Sequence, residues 1–418
     1  MKTVRSQRSA PYAMKRRVNL LVGSGVSEYF KLPGTDAITE AVLAIDDTMY
    51  DDENRQYANG LQRGVRTIYM VRRGLLSYFD KVTFELLLHA VETLMSIGVG
   101  GKGYDVSDLG KPMFNAFMDV APRWDPLVQY GRWPTVARLI TARIIDTVSD
   151  ACKVKTREQL VELTKLISAL RARVEINCFS LNYDDLFERA VDGWFDGFEE
   201  GKQVARFDVP SFNAAYRQTQ LLCHLHGCIN YGVSSRENSV EIVKYRRPYV
   251  AMPPLLPAFS SRAQSGEMTV IGPIISGLRK TDKMYFAPYG YYQQAFVEGL
   301  TAHPRVLIVG YGGRDTYVNN WLWQAGQIHR EDFRVCIVTK CTNEQPEENG
   351  GIAALCALLT GTDEERWYSR LRADLPGATH DGLRLVTTGF PISEADYNAA
   401  MDYLCEDKPS TQTGTTAT

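Results

Sequence analysis

Short apolar runs alternate with stretches of 3.6-residue periodicity along most of the chain. The run at 18–22 reads as a strand that passes straight into a Gly-X-Gly turn, Gly23-Ser24-Gly25. Residues 32–45 read as a loop and then a helix, with Thr35 or Asp36 as its cap. From 46 to 173 the spacing is helical, in segments at 56–79, 83–95, 133–152 and 156–174, broken by a Gly-rich stretch at 98–112. Strand-like runs then return. Residues 174–183 precede a helical 184–195, and 221–231 carries a His-Gly turn. The run at 305–313 precedes a helical 319–329, further runs lie at 333–340 and 383–390, and an amphipathic helix closes at 393–406. Apolar strands alternating with helices predict an α/β fold, an open parallel sheet with helices on both faces. The pattern divides the chain into a sheet domain (18–45 and 174–406), a large helical insertion after the first βα unit (46–173), a basic arm (1–17) and a polar tail (407–418). No fixed-period repeat suggests a solenoid.

Composition narrows the class without choosing a reaction. The 418 residues are 44% hydrophobic, which is ordinary for a globular protein and argues against disorder over most of the length. With 47 basic and 49 acidic residues the net charge is −2, so no global field draws the chain onto nucleic acid or an acidic membrane. No apolar stretch approaches the length that spans a bilayer. The apolar run after the basic arm, 18–22, is too short for a signal-peptide core. Eight scattered Cys fit buried, reduced thiols in a cytoplasmic protein better than a disulfide framework. The CHLHGC stretch at 223–228 invites a metal site. Its residues alternate along a strand and no second ligand pair follows at zinc spacing, so no metal is expected.

In open parallel sheets ligands bind beyond the carboxyl ends of the strands, so the polar residues there are the candidates. The turn Gly23, Ser24, Gly25 with Ser27 allows backbone to approach a phosphate. Asn182 and Asp184 end the second strand, where an amide can hold a ribose hydroxyl or a water; a helix cap is the competing role for Asp184 or Asp185. His226, as a neutral imidazole, is placed for general base work, whereas His224 reads as structural. Gly310, Gly312 and Asp315 form another strand-end glycine turn suited to a ribose or a second phosphate.

The order of these motifs resembles the sirtuin family: Gly23-X-Gly25-X-Ser27, then Asn182-X-Asp184, then His226-Gly227, then a Gly-rich turn with Asp315. The resemblance covers roughly 15–45 and 174–405 and implies a Rossmann-like fold that binds NAD+. Deacylating sirtuins carry a zinc ribbon of two CxxC pairs after the His-Gly motif, yet 232–285 contains no Cys here. Ser24 and Tyr183 stand where the family has Ala and Ile. These departures look like the sirtuin-like effectors of bacterial antiphage defence, in which NAD+ is hydrolysed.

The resemblance implies roles. Gly23, Ser24, Gly25 and Ser27 would cradle the pyrophosphate. Asn182 would orient the attacking water or a ribose hydroxyl, Asp184 would contact the nicotinamide end, and His226 would be the general base. Gly310, Gly312, Asp315 and Gly389 would line the adenosine side. It further implies a gated homo-oligomer with a partner such as a HerA-type hexameric ATPase or, alternatively, a short Argonaute. No sequence-specific nucleic-acid contact and no membrane are expected. An NAD-dependent protein deacylase and a non-catalytic NAD or ADP-ribose sensor are the competing functions.

Overall fold

The structure, a computed structural model, describes residues 16–45, 55–98, 133–236, 239–245, 258–259, 270–277, 280–284, 286–341, 349–372, 379–380 and 382–405. Most of the basic arm, most of the Gly-rich break and the polar tail therefore lie outside the described residues.

In chain order, β1 (Arg17–Val22) leads into α1 (Ser24–Tyr29) and α2 (Thr35–Leu43). Helices α3 (Arg55–Leu75), α4 (Phe84–Gly98), α5 (Trp133–Lys153) and α6 (Val161–Arg173) follow. Next come β2 (Glu175–Ser180), α7 (Leu186–Ala190), β3 (Val204–Arg206), α8 (Val209–Ala215) and β4 (Leu221–His224). Strands β5 (Tyr231–Arg236) and β6 (Ser239–Tyr245) precede a short pair, β7 (Ala258–Phe259) and β8 (Val270–Ile271). The chain then runs through α9 (Lys280–Lys283), α10 (Tyr289–Ala302), β9 (Arg305–Val309), α11 (Thr316–His329) and β10 (Arg334–Val338). It ends with α12 (Gly350–Thr360), α13 (Glu364–Arg372), β11 (Thr379–His380), β12 (Leu383–Val386) and α14 (Glu394–Cys405).

The central sheet has the order β11-β12-β10-β9-β1-β2-β4. Six strands are parallel and only the edge strand β11 is antiparallel. Strands covered on both faces are mostly apolar, and β1 is buried at every position. The buried polar residues in its first half satisfy one another, as buried amides require. Arg17 Nη1 donates to Asn177 Oδ1 at 2.8 Å, Asn177 Nδ2 to Asn19 Oδ1 at 3.1 Å, and Asn19 Nδ2 to the Gly299 carbonyl at 2.9 Å.

Helix α6 buries Leu163, Leu166, Ile167 and Leu170, a 3–4 spacing that forms one stripe, and lies on β2. Within the insertion α5 packs against α3 and α4, and also against α2. Helix α2 begins one residue earlier than its sequence suggests. Its cap is Gly34, whose carbonyl accepts from the Ile38 amide at 3.0 Å, and Thr35 and Asp36 lie inside the first turn.

Strands β5 and β6 follow the His-Gly turn and form with the earlier β3 a second, antiparallel sheet in the order β3-β6-β5. It occupies part of the stretch where a zinc ribbon would be found in a deacylating sirtuin. All eight Cys are free thiols, and burial pushes those of Cys178, Cys223 and Cys228 well up.

Candidate active site

Strand register gathers the candidates. Val22 of β1 lies beside Ser180 of β2 and Val309 of β9, and Ser180 lies beside His224 of β4. The residues that follow these four positions therefore share one edge of the sheet. From β1 the chain builds β2 and β4 on one side, then β9, β10 and β12 on the other. The reversal falls between β1 and β9, where the crevice of an open α/β sheet forms.

Gly23 and Gly25 sit at that crevice, but their amides are engaged. Gly23 N donates to the Val309 carbonyl at 3.0 Å and Gly25 N to the Gly310 carbonyl at 2.8 Å. A Cβ on Gly23 would stand 2.5 Å from Tyr311 Cα, so the glycine serves a close approach of two strand exits. The expected presentation of these two amides to a pyrophosphate is thus replaced by backbone pairing. Ser24 is exposed at the start of α1, whereas Ser27 is buried and its hydroxyl donates to Asp184 Oδ2.

Asn182 and Asp184 are both nearly buried. Asn182 Nδ2 donates to the Gly23 carbonyl at 3.0 Å, tying the exit of β2 to that of β1. Asp184 Oδ1 accepts from the Leu186 amide at 3.2 Å, so Asp184 helps to start α7 while it holds Ser27. Its carboxyl thus braces α1 against the start of α7. Burial pushes Asp184 from 3.8 to about 6, against the lowering effect of the Ser27 and Leu186 hydrogen bonds.

A raised carboxyl means that the folded protein binds more protons than the unfolded chain between about pH 4 and 6. Its contribution is complete below that window and is lost as pH rises through it, so by pH 8 the buried charge costs roughly 3 kcal/mol. Asp184→Asn is expected to narrow the fall in melting temperature between pH 5 and 8. Parallel melting curves for the variant and the native chain would refute this.

His226 lies in the turn after β4 and is about as buried as Asn182. Nδ1 is 3.2 Å from the Leu181 carbonyl, which can only accept, so Nδ1 carries a hydrogen. Nε2 is 3.2 Å from Asp315 Oδ2. Asp315, expected on the adenosine side, thus sits against the histidine. Its other oxygen accepts from the Tyr317 and Val318 amides, each at 3.1 Å, as the cap of α11. Tyr311 holds the same loop, its hydroxyl accepting from the Asp315 amide at 2.9 Å.

Burial and the nearby Lys280 ammonium lower the pKa of His226, and Asp315 works against both. Asp315 is itself held well below the usual carboxylate range. Burial opposes its ionisation, but His226 and Lys280 outweigh it. Both ring nitrogens face acceptor oxygens, so Asp315 stands where it stabilises the ring whenever the ring is protonated.

The remaining glycines fall around this edge. Gly310 receives the Gly25 amide, and Gly312 is exposed with open space where a Cβ would stand. Gly389 follows β12, beside Lys340 and two strands beyond β9, and its neighbour Phe390 reaches α1 through Tyr29 and Phe30.

Beneath the site, sequence spacing had missed a buried ionic group. His224 Nε2 is 3.0 Å from Glu188 Oε1, and Lys244 Nζ is 3.1 Å from the same oxygen and 2.6 Å from Asp196 Oδ2. Glu188, His224 and Cys228 bring ligand atoms within 4.8 Å of one another. Lys244 already supplies the positive charge there, so a metal ion would have to displace an ammonium. Burial disfavours a charged His224, yet Glu188 outweighs it and the pKa is raised. His224 is structural, as its sequence position suggests.

With this geometry in place the comparisons are informative. Residues 177–348 match the family model described as the SIR2-like domain. This supports a sirtuin-like family. The SIR2-like segment contains Asn182, Asp184, His226 and Asp315, and it begins after the insertion. No curated protein matches the chain. No helix among the described residues is long and apolar enough to cross a membrane.

Proposed function

We propose that the chain hydrolyses NAD+ at the nicotinamide–ribose bond, giving nicotinamide and ADP-ribose. The observation that carries this reading is His226, fixed through Nδ1 and backed by Asp315, on the same sheet edge as Asn182 and beside the β1–β9 crevice. As the C1′–N bond breaks, its electron pair neutralises the pyridinium ring and positive charge develops on the ribose. Water adds to C1′ and its proton passes to the His226–Asp315 pair, in which the carboxylate stabilises the protonated ring. Asn182, pinned to Gly23, orients the water or a ribose hydroxyl.

Free hydrolysis of NAD+ would kill the host cell, so the activity must be gated. The resemblance to antiphage-defence effectors supports a cytoplasmic, homo-oligomeric effector that acts by NAD+ depletion and is triggered by a partner such as a HerA-type ATPase or a short Argonaute. The insertion exposes Tyr69, Leu76, Tyr78 and Phe79, the last three next to one another at the end of α3, and they support an assembly role for it.

The test is nicotinamide release from NAD+ over a protein concentration series that spans self-association, with ADP-ribose measured in parallel. The expected result is equal amounts of both products and their loss in Asn182→Ala. Release that depends on an acetyl-lysine peptide would replace hydrolysis by deacylation. Binding of NAD+ without release at any concentration, with either partner class present, would make the chain a sensor.

A further inference from the structure

Asp315 Oδ2 does more than face His226. Lys280 Nζ, on α9, lies 3.1 Å from the same oxygen and 3.5 Å from Glu85 Oε1, on the first turn of α4. Three residues further on, Lys283 Nζ donates to Glu92 Oε1 at 2.5 Å and to the Ser276 carbonyl at 2.8 Å, with both charged side chains nearly buried. Glu85 and Glu92 are two turns apart and so lie on one face of α4. The segment they grip is the one that pairs with the catalytic turn. Ile275 N donates to the His226 carbonyl at 2.7 Å, and Tyr183 Oη donates to the Ile275 carbonyl at 3.3 Å.

A chain of alternating charge thus runs from the insertion to the histidine: Glu85, Lys280, Asp315, His226. We infer that Asp315 and Lys280 are positioning residues for His226 and that α4 of the helical insertion holds them, so that the active site spans both parts of the chain. Asp315 cannot swing away freely, because its second oxygen caps α11. Lys280 is held by Asp315 on one side and Glu85 on the other. A shift of α4 therefore changes the charge facing Nε2 without moving the strands. The kinetic arm of this inference rests on the NAD+-cleavage reading; the structural arm does not.

The charged groups facing the imidazole are Asp315 from α11, Lys280 from α9 and Glu85 from α4. The Tyr183 phenol beside them stays neutral, since burial pushes it up. Their effects have opposite signs, which a purely structural role would not produce. The experiment is a pH titration of the His226 ring by NMR on the full chain labelled at histidine, the signal being assigned by its loss in His226→Gln. Asp315→Asn keeps a capping oxygen and is expected to lower the midpoint. Lys280→Met is expected to raise it and Lys280→Arg to restore it, while Glu85→Gln lowers it by less than Asp315→Asn. In parallel, Asp315→Asn is expected to reduce kcat roughly tenfold or more with KM changed less than about threefold.

Midpoints that do not move, or that move the same way in Asp315→Asn and Lys280→Met, would overturn the inference. So would an unchanged kcat in Asp315→Asn. If the native chain releases no nicotinamide while the opposed shifts are present, the proposed reaction fails and the positioning stands. If it hydrolyses NAD+ and the shifts are absent, the positioning alone fails.

Discussion

His226→Ala is expected to cut nicotinamide release from NAD+ by roughly a hundred- to ten-thousand-fold, the range over which a placed general base contributes. The loss should fall on kcat, because the described contacts of the ring are to the protein's own Leu181 carbonyl and Asp315, so removing it leaves the crevice between β1 and β9 in place. The variant should fold, since the backbone pairing of the turn runs through main-chain atoms: Leu225 N to the Ser180 carbonyl at 2.9 Å and Ile275 N to the His226 carbonyl at 2.7 Å. His226→Gln should be as inactive as alanine, since an amide can donate to Leu181 but cannot take a proton. A pH profile adds a signed check. Burial and Lys280 favour the neutral ring, and the neutral ring is the base. The acid limb of kcat/KM should therefore rise with pH through a midpoint below the ordinary imidazole value of about 6.5. A native-like rate in His226→Ala, or an acid limb above that value, would remove the histidine from the role.

Much of this site was legible because a parallel sheet sends all its carboxyl ends to one edge. Ser27, Asn182, Asp184 and His226 each follow an apolar run closely, so locating the strands located the residues. The identities of their partners were not legible. Glu85 and Lys280 lie on no strand end and fit no motif. Glu85 meets Lys280 across a contact between positions about two hundred residues apart, and Lys280 in turn meets Asp315. Asp315 was expected on the adenosine side, but a glycine turn looks the same in sequence whether its acidic residue faces a ribose or an imidazole. Gly23 and Gly25 show the same limit. Their need for close approach is readable, but the strand exit of β9 that they approach lies nearly three hundred residues away. The β5–β6 pairing was not legible because Tyr231–Arg236 carries Gly232, Ser234 and Ser235, which are not strand formers.

A large structural effect is expected at Gly227, the residue after the histidine. Its φ is +83°, in the region that side chains avoid, and a Cβ there would stand 2.2 Å from the Pro273 carbonyl oxygen and 2.8 Å from Ile274 Cα. Neither neighbour is the end of a flexible side chain. Both belong to backbone fixed on either side of the contact, by Cys228 N donating to the Pro273 carbonyl at 3.1 Å and by the Ile275–His226 bond. The left-handed conformation alone costs a side chain about 1–2 kcal/mol. Displacing paired backbone adds to this, so Gly227→Ala should lose about 3 kcal/mol or more in chemical unfolding. Gly312→Ala provides the contrast, because that glycine has open space at the Cβ position and is exposed. It should change stability by no more than about 0.5 kcal/mol. Any Gly227→Ala protein that does fold must move the 273–275 segment, which carries the His226 carbonyl bond and lies between α4 and the catalytic turn. Its nicotinamide release should fall with the histidine's positioning, even at temperatures where the chain is fully folded. Equal stabilities for the two variants would show that the segment yields without cost, and the turn would then not be the rigid element that the pairing of Gly227 with Ile274 describes.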